Sequence, residues 1–361
     1  MNADTRNDRD VGSKKIATLP ETLAAGEQRI VLAHGGGGEL TRRLLDERIL
    51  PRLNNELLAP LADGALLPPM TGRPCLTTDA YVIQPIEFPG GDIGRLAVCG
   101  TVNDLVVMGA RPLALSLALV IEEGLSFEVL DRVVGSIAAA AAEAGVPIAT
   151  GDTKVVERAR GDGLLITTAG VGEVPSDVQL DVHRIVPGDR IIVTGTLAEH
   201  GLAVMAAREN LGLNSGIASD AAPLGGLVAA MLECGGGTVK FLRDPTRGGL
   251  AGVLADLVEN TALGVEIREE ALPVTTAVRH AAELLGLDPL NVANEGKIVA
   301  VVAAGDEQRV LQACRAHPLG RNAVCIGECV AASPPLAEMV TAIGGRRIIL
   351  RPYGEDLPRI C

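Results

Sequence analysis

The sequence predicts an α+β protein built from two α/β domains and ending in a flexible C-terminal tail. Three observations carry this expectation. At 361 residues the chain exceeds one ordinary domain. Strand-like and helix-like patterns alternate on both sides of RIVPGDRIIVTGTL (184–197), where Pro-Gly-Asp makes a turn before a new strand. The two halves also echo each other, with AGVGEV at 169–174 and VCIGECV at 324–330.

Taken in order, residues 1–28 are polar, lack the apolar core of a secretory signal, and are expected to form a disordered extension. The first domain, 29–182, starts at VLAHGGGGELTRRLLDERIL, an apolar stretch that passes through a Gly-rich turn into a helical pattern. LTTDAYVI (76–83), IATGDTK (148–154) and LLITTAGVGEV (164–174) read as strands with turns. GDIGRLAVCGTVNDLVVMGA (91–110) and LSFEVLDRVVGSIAAAAAEAG (125–145) carry helical apolar spacing. The second domain, 183–345, has helical patterns at 221–234 and 248–262, a strand at 297–303, and a last strand at VCIGECV. The tail is expected over 346–361, stiffened by Pro352 and Pro358, hinged at Gly354, and ending in Cys361.

Apolar residues make up 47% of the chain, with three Phe, two Tyr and no Trp, so the cores must be aliphatic. A net charge of −13 argues against nucleic-acid binding, and so few aromatics leave little on which bases could stack. The longest apolar stretch, 105–121, is interrupted by Arg111 and Pro112 and does not read as a membrane span. Seven cysteines without framework spacing point to a reducing compartment, the cytoplasm.

Asp79, Asp104, Asp152 and Asp244 each follow an apolar run, and each is expected at a strand end or turn. Taken singly, such an Asp serves equally well as a helix or turn cap. Together the four make a hard-oxygen ligand set of the kind Mg²⁺ shares with nucleotide phosphates. No Walker A pattern occurs, so ATP would not bind through a P-loop. HGGGG (34–38) offers backbone N–H groups to a phosphate, or simply a flexible helix entry. Lys154 is placed to neutralise a transferring phosphoryl group, and Glu295 precedes a buried-looking strand where its basicity is tunable; each reads equally as a surface charge. Cys314, Cys325, Cys329 and His317 have a loosely zinc-like spacing, but the cysteines lie in apolar surroundings and read as small hydrophobes.

Together HGGGG, TTDAYVIQP, GTVNDLVVMGARP, ATGDTKVV, RDPTRGGL, ANEGK and the terminal PRIC resemble the HypE family of hydrogenase maturation proteins, over about residues 30–361. The internal motifs are similar to those of the wider superfamily of aminoimidazole ribonucleotide synthetase, selenophosphate synthetase and thiamine-monophosphate kinase. PRIC singles out HypE. No Cys precedes Cys75, whereas selenophosphate synthetases carry a reactive Cys or selenocysteine near the N-terminus.

The resemblance implies two domains of the aminoimidazole ribonucleotide synthetase type, a homodimer formed by joining sheets, and ATP with Mg²⁺ in a cleft between domains and subunits. It implies that Asp79, Asn103, Asp104, Gly151, Asp152, Asp244, Thr246, Gly35, Gly36 and Gly37 bind the nucleotide, with the four Asp residues on metal. Cys361 becomes the carrier of a carbamoyl group delivered by the carbamoyltransferase HypF. The carbamoyl group is dehydrated to thiocyanate, with Glu295 as base and Lys154 spreading phosphoryl charge, and the cyanide passes to a HypC–HypD iron scaffold. Two other readings remain: a small-molecule synthetase or kinase of the same superfamily, and a thiol-tailed scaffold that binds ATP without turnover.

Overall fold

The computed structural model describes residues 29–209, 216–353 and Ile360. The expected N-terminal extension, the hinge Gly354, Pro358 and the carrier Cys361 lie outside the described residues.

The first unit opens with a 3₁₀ turn, Leu32–Gly35, and the short helices α1 (Glu39–Leu44) and α2 (Leu50–Leu53), joined by one π-helical turn, Leu45–Ile49. There follow β1 (Arg73–Tyr81), the small hairpin β2 (Glu87–Phe88) and β3 (Gly91–Asp92), α3 (Ile93–Val107), β4 (Arg111–Glu122), α4 (Phe127–Ala144), β5 (Ile148–Val156) and β6 (Leu164–Val174). The main sheet has the order β1-β6-β4-β5, parallel only between β4 and β5. The Asp92 carboxylate accepts the Gly94 and Arg95 N–H groups and so starts α3. Ser126 caps α4, which ends at left-handed Gly145. The two helices cover one face of the sheet, towards which β4 directs Leu115, Leu117, Leu119 and Ile121.

The second unit contains β7 (Arg190–Val193), α5 (Glu199–Arg208), α6 (Gly225–Gly235), β8 (Val239–Arg243), α7 (Gly249–Thr261), β9 (Gly264–Arg268), α8 (Thr276–Leu285), β10 (Val299–Val302), α9 (Glu307–Ala316), β11 (Val324–Val330), β12 (Ala337–Val340) and β13 (Arg346–Ile349). Seven strands lie in the order β13-β12-β9-β11-β7-β10-β8. Both faces of the middle of this sheet are buried. Ile192, Ala300 and Val302 face one core, while the alternate residues Ile191, Val193, Val299 and Val301 face the other. Cys314 packs in the first core and Cys329 in the second, as small hydrophobes.

Three expectations need correction. The apolar stretch 105–121 runs from the end of α3 into the 12-residue strand β4, which the sequence reading did not identify. VCIGECV is an inner strand followed by two more. Residues 346–349, expected in the tail, pair with β12 and bury Ile349, so the chain leaves the sheet only after them.

Asn103, on α3, locks the two units together. Its amide nitrogen donates to the Ala222 and Glu295 carbonyls at 3.0 and 3.1 Å, and its oxygen accepts the Leu224 N–H at 2.8 Å. Both of its amide hydrogens are therefore committed within the junction. Asn103→Ala strands three buried backbone groups, and urea denaturation should show a loss of roughly 2–4 kcal/mol.

Candidate active site

A cleft of 640 Å³ opens between the two units, lined by Asp79, Tyr81, Asp104, Asp244, Thr246, Arg247 and Glu295, with Lys240 and Phe241 beside them. Strand alternation explains the first wall. On β1, Cys75, Thr77, Asp79 and Tyr81 point inward while Leu76, Thr78 and Ala80 point out. On α3, Thr101 and Asp104 are one turn apart and meet them. Thr77 donates to Asp104 at 2.7 Å, and Thr101 and Tyr81 donate to Asp79 at 3.1 and 3.3 Å. Gly100 is required here because a Cβ would strike the Tyr81 hydroxyl.

The second wall comes from two loops. Asp244 follows β8, and the chain enters α7 through Gly248 and Gly249 at φ +77° and +58°, a conformation that favours glycine. Asn294 ties this loop to the next: its amide donates to the Pro245 carbonyl at 3.1 Å, and its oxygen accepts the N–H of Ala198, a left-handed residue at φ 70°. Glu295 follows immediately. Its backbone N–H donates to Asp220 at 3.1 Å, and Lys297 donates to the other Asp220 oxygen at 3.0 Å. A side chain on Gly296 would collide with the Asp220 carbonyl, so the loop is pressed against that residue.

The cleft is strongly acidic. Complete burial holds the Glu295 carboxyl well above the usual range, and Asp244, Asp220, Asp79 and Asp104 push it further. Burial and the neighbouring Asp104 raise Asp244 to about 7. Asp104 is raised by burial and by Asp79, partly offset by the Thr77 hydrogen bond. A crowd of carboxylates in a partly dry cleft favours cations.

The structure thus brings Asp79, Asp104, Asp244, Thr246 and Glu295 together. Only Asp244 lies just past a strand end; Asp79 and Asp152 sit within strands and Asp104 within a helix. The other residues form a second group at the β5 edge. Asp152 and Lys154 are exposed on β5, 3.3 Å apart, and Gly35 packs against the Val155 backbone beside them. Gly36 and Gly37 continue that turn, and Gly151 lies on the same strand. None of these lines the cleft of its own chain. Glu295 is buried and is no surface charge; Lys154 is solvated.

Tyr81, Asp220 and Lys297 were missed by the sequence reading. Lys297 sits in the NEGK segment and Tyr81 two residues past Asp79, so both were within reach. Asp220 carries no motif, and only the fold brings it to Glu295.

The AIR synthase related protein N-terminal domain matches residues 62–174 and the corresponding C-terminal domain matches 186–334. Carbamoyl dehydratase HypE of Bradyrhizobium diazoefficiens is 50% identical over 330 residues, covering 91% of this chain and 95% of that protein. The crystal structure of hydrogenase maturation protein HypE in complex with ATP superposes with a TM-score of 0.87 at 40% identity, covering 92% of this chain and 99% of the other. HypE from the crystal structure of a HypE–HypF complex gives a TM-score of 0.75 at 43% identity, covering 86% and 99%. The chain belongs to the HypE family of carbamoyl dehydratases, among the AIR synthase related proteins.

Proposed function

We propose that this chain uses ATP to dehydrate an S-carbamoyl group on its own Cys361 to a thiocyanate, providing cyanide for the iron of a nickel–iron hydrogenase. The observation that carries the reading furthest is the burial of Ile360 against α5, near the residues that hold the Glu295 loop. Ile360 is buried, hydrogen-bonded to a residue of α5, and followed directly by Cys361. An incidental terminal Cys, as in the small-molecule enzyme reading, has no need of such a seat.

The chemistry follows from the residues. Amide oxygen is a poor leaving group until it is phosphorylated. Glu295 takes a proton from the carbamoyl nitrogen as the oxygen attacks the γ-phosphoryl group and ADP departs. Loss of the second nitrogen proton expels phosphate and leaves S–C≡N, so one ATP becomes ADP and phosphate per water removed. The raised basicity of buried Glu295 suits it to this task.

Asp79, Asp104 and Asp244 fit Mg²⁺ as hard oxygen donors whose mutual repulsion a divalent cation relieves. Among the described residues no three such groups stand close enough to hold a metal alone, so Mg²⁺ here would need phosphate and water to complete its shell. Bound there, Mg²⁺ would neutralise phosphate charge.

A homodimer accounts for the second group of residues. Among the described residues nothing packs over the outer face of the four-stranded sheet around Leu76, which is 75% exposed, with Val120 and Val171 half-buried. Pairing of two such faces would bring Asp152, Lys154 and the HGGGG turn of one protomer towards the cleft of its partner. HypF as carbamoyl donor and HypC–HypD as cyanide acceptor complete the cycle. We place it in the cytoplasm; all six described cysteines are free thiols, and no helix among the described residues is long and apolar enough to cross a membrane.

Deletion of 358–361 tests the reading. The truncated protein should still bind ATP, while ATP turnover in the presence of HypF and carbamoyl phosphate disappears. Undiminished turnover would favour the small-molecule enzyme.

A further inference from the structure

His200 is fully buried on α5, and no step above uses it. Its Nε2 lies 2.6 Å from the Ile360 carbonyl oxygen, and its Nδ1 lies 2.8 Å from the Ser219 hydroxyl. A carbonyl only accepts, so Nε2 carries the proton and Nδ1 accepts from Ser219. The Ser219 oxygen in turn accepts the Ala221 N–H at 3.2 Å. Phe88 meets the imidazole edge-on, with centroids 5.6 Å apart, and fixes the ring plane. Every polar atom of this histidine is committed, and one of its two partners is the penultimate residue of the chain.

The surroundings connect this contact to the reacting site. Ser219 adjoins Asp220, which holds the Glu295 backbone and Lys297. Glu199, the neighbour of His200 in sequence, lies 3.7 Å from the same Lys297. The N–H of Gly201 donates to the Ala293 carbonyl, two residues before Glu295. One rigid assembly therefore orients the base and grips the chain end. The tail root is held separately: Arg351 pairs with Asp256 and Glu259 on α7.

We propose that His200 is the positioning residue of the tail: its Nε2–H donates to the Ile360 carbonyl and anchors the chain one residue before Cys361, on the same assembly that holds the Glu295 loop. The contact is to backbone and is a single bond, so it positions the thiol for dehydration yet releases it for visits to partners. Its catalytic consequence rests on the dehydratase reading; the seating of the tail does not.

The test compares wild type with His200→Phe, which keeps the ring and its packing but has no donor, and His200→Gln, which keeps an N–H donor. The first readout is the rate of Cys361 alkylation by iodoacetamide, resolved by peptide mass mapping. His200→Phe should raise it roughly tenfold, the worth of one such hydrogen bond, with His200→Gln closer to wild type. The second readout is single-turnover conversion of carbamoylated tail to thiocyanate, which should slow in the same order while carbamoylation by HypF does not slow. Equal alkylation rates in folded wild type and His200→Phe would overturn the proposal. Should His200→Phe not fold, Ile360→Gly, which removes the buried anchor, decides in its place: wild-type protection of Cys361 overturns it, and faster labelling supports it. If labelling rises as expected but no protein forms thiocyanate, the seat stands and the dehydratase reading fails.

Discussion

Glu295→Gln should slow dehydration of the carbamoylated tail by about 10²–10⁴-fold, the usual contribution of a general base. Gln preserves shape and burial but cannot take a proton. The backbone N–H of residue 295 keeps its bond to Asp220, and Asn103 keeps its bond to the carbonyl of residue 295, so the loop should hold its place. Carbamoylation by HypF should proceed as in wild type, and S-carbamoylated protein should accumulate on incubation with ATP. Quenched-flow sampling followed by intact mass checks both halves of the expectation. Because four aspartates press on the Glu295 carboxyl in the absence of ligand, Gln should also raise the melting temperature above neutral pH.

Asp244→Asn should separate stability from function in the opposite directions. Folded Asp244 keeps its proton up to about 7, whereas an ordinary aspartyl carboxyl loses it near 3.8. Between those values the folded state binds more protons than the unfolded one, so stability is full at low pH and falls as pH rises through the window. The shift corresponds to roughly 4 kcal/mol across the whole window. Asn removes this penalty together with the repulsion from Asp104 and Asp79. The variant should therefore melt higher than wild type at pH 8 and about equally at pH 4, while ATP-dependent turnover is lost. Differential scanning calorimetry at the two pH values measures the first effect. An unchanged difference between pH 4 and pH 8 would show that Asp244 ionises freely in the fold.

The helices α3 and α4 and the strands β1, β5 and β6 were legible from their apolar spacing, and at each helix an Asp or Ser cap agrees with it. β4 was hidden because RPLALSLALVIE is apolar on alternate and intervening positions alike, and periodicity cannot separate such a run from a helix. β13 is a short, largely exposed and charged strand at the edge of the seven-stranded sheet, which gives it the look of a tail, and the short β12 beside it was not read as a strand. In the site, Asp79, Asp104, Asp244 and Glu295 were identified from residue type and local sequence. The sequence did not reveal that Asp152 and Lys154 face away from that cleft, since spacing along the chain carries no information about which sheet edge a strand occupies. Asn103 was expected as a nucleotide ligand, and nothing in the sequence signalled that it also clasps the two units together. Asp220 and His200 were invisible for the same reason: their partners lie 75 and 160 positions away.

The most direct test of the account is the intact mass of this protein after incubation with HypF, carbamoyl phosphate and ATP, with Cys361→Ala alongside. Wild type should first gain one carbamoyl group and then, only with ATP, lose the mass of one water. Cys361→Ala should do neither. An unchanged wild-type mass beside a demonstrably active HypF would contradict the account, as would an ATP-dependent loss of water that persists without Cys361.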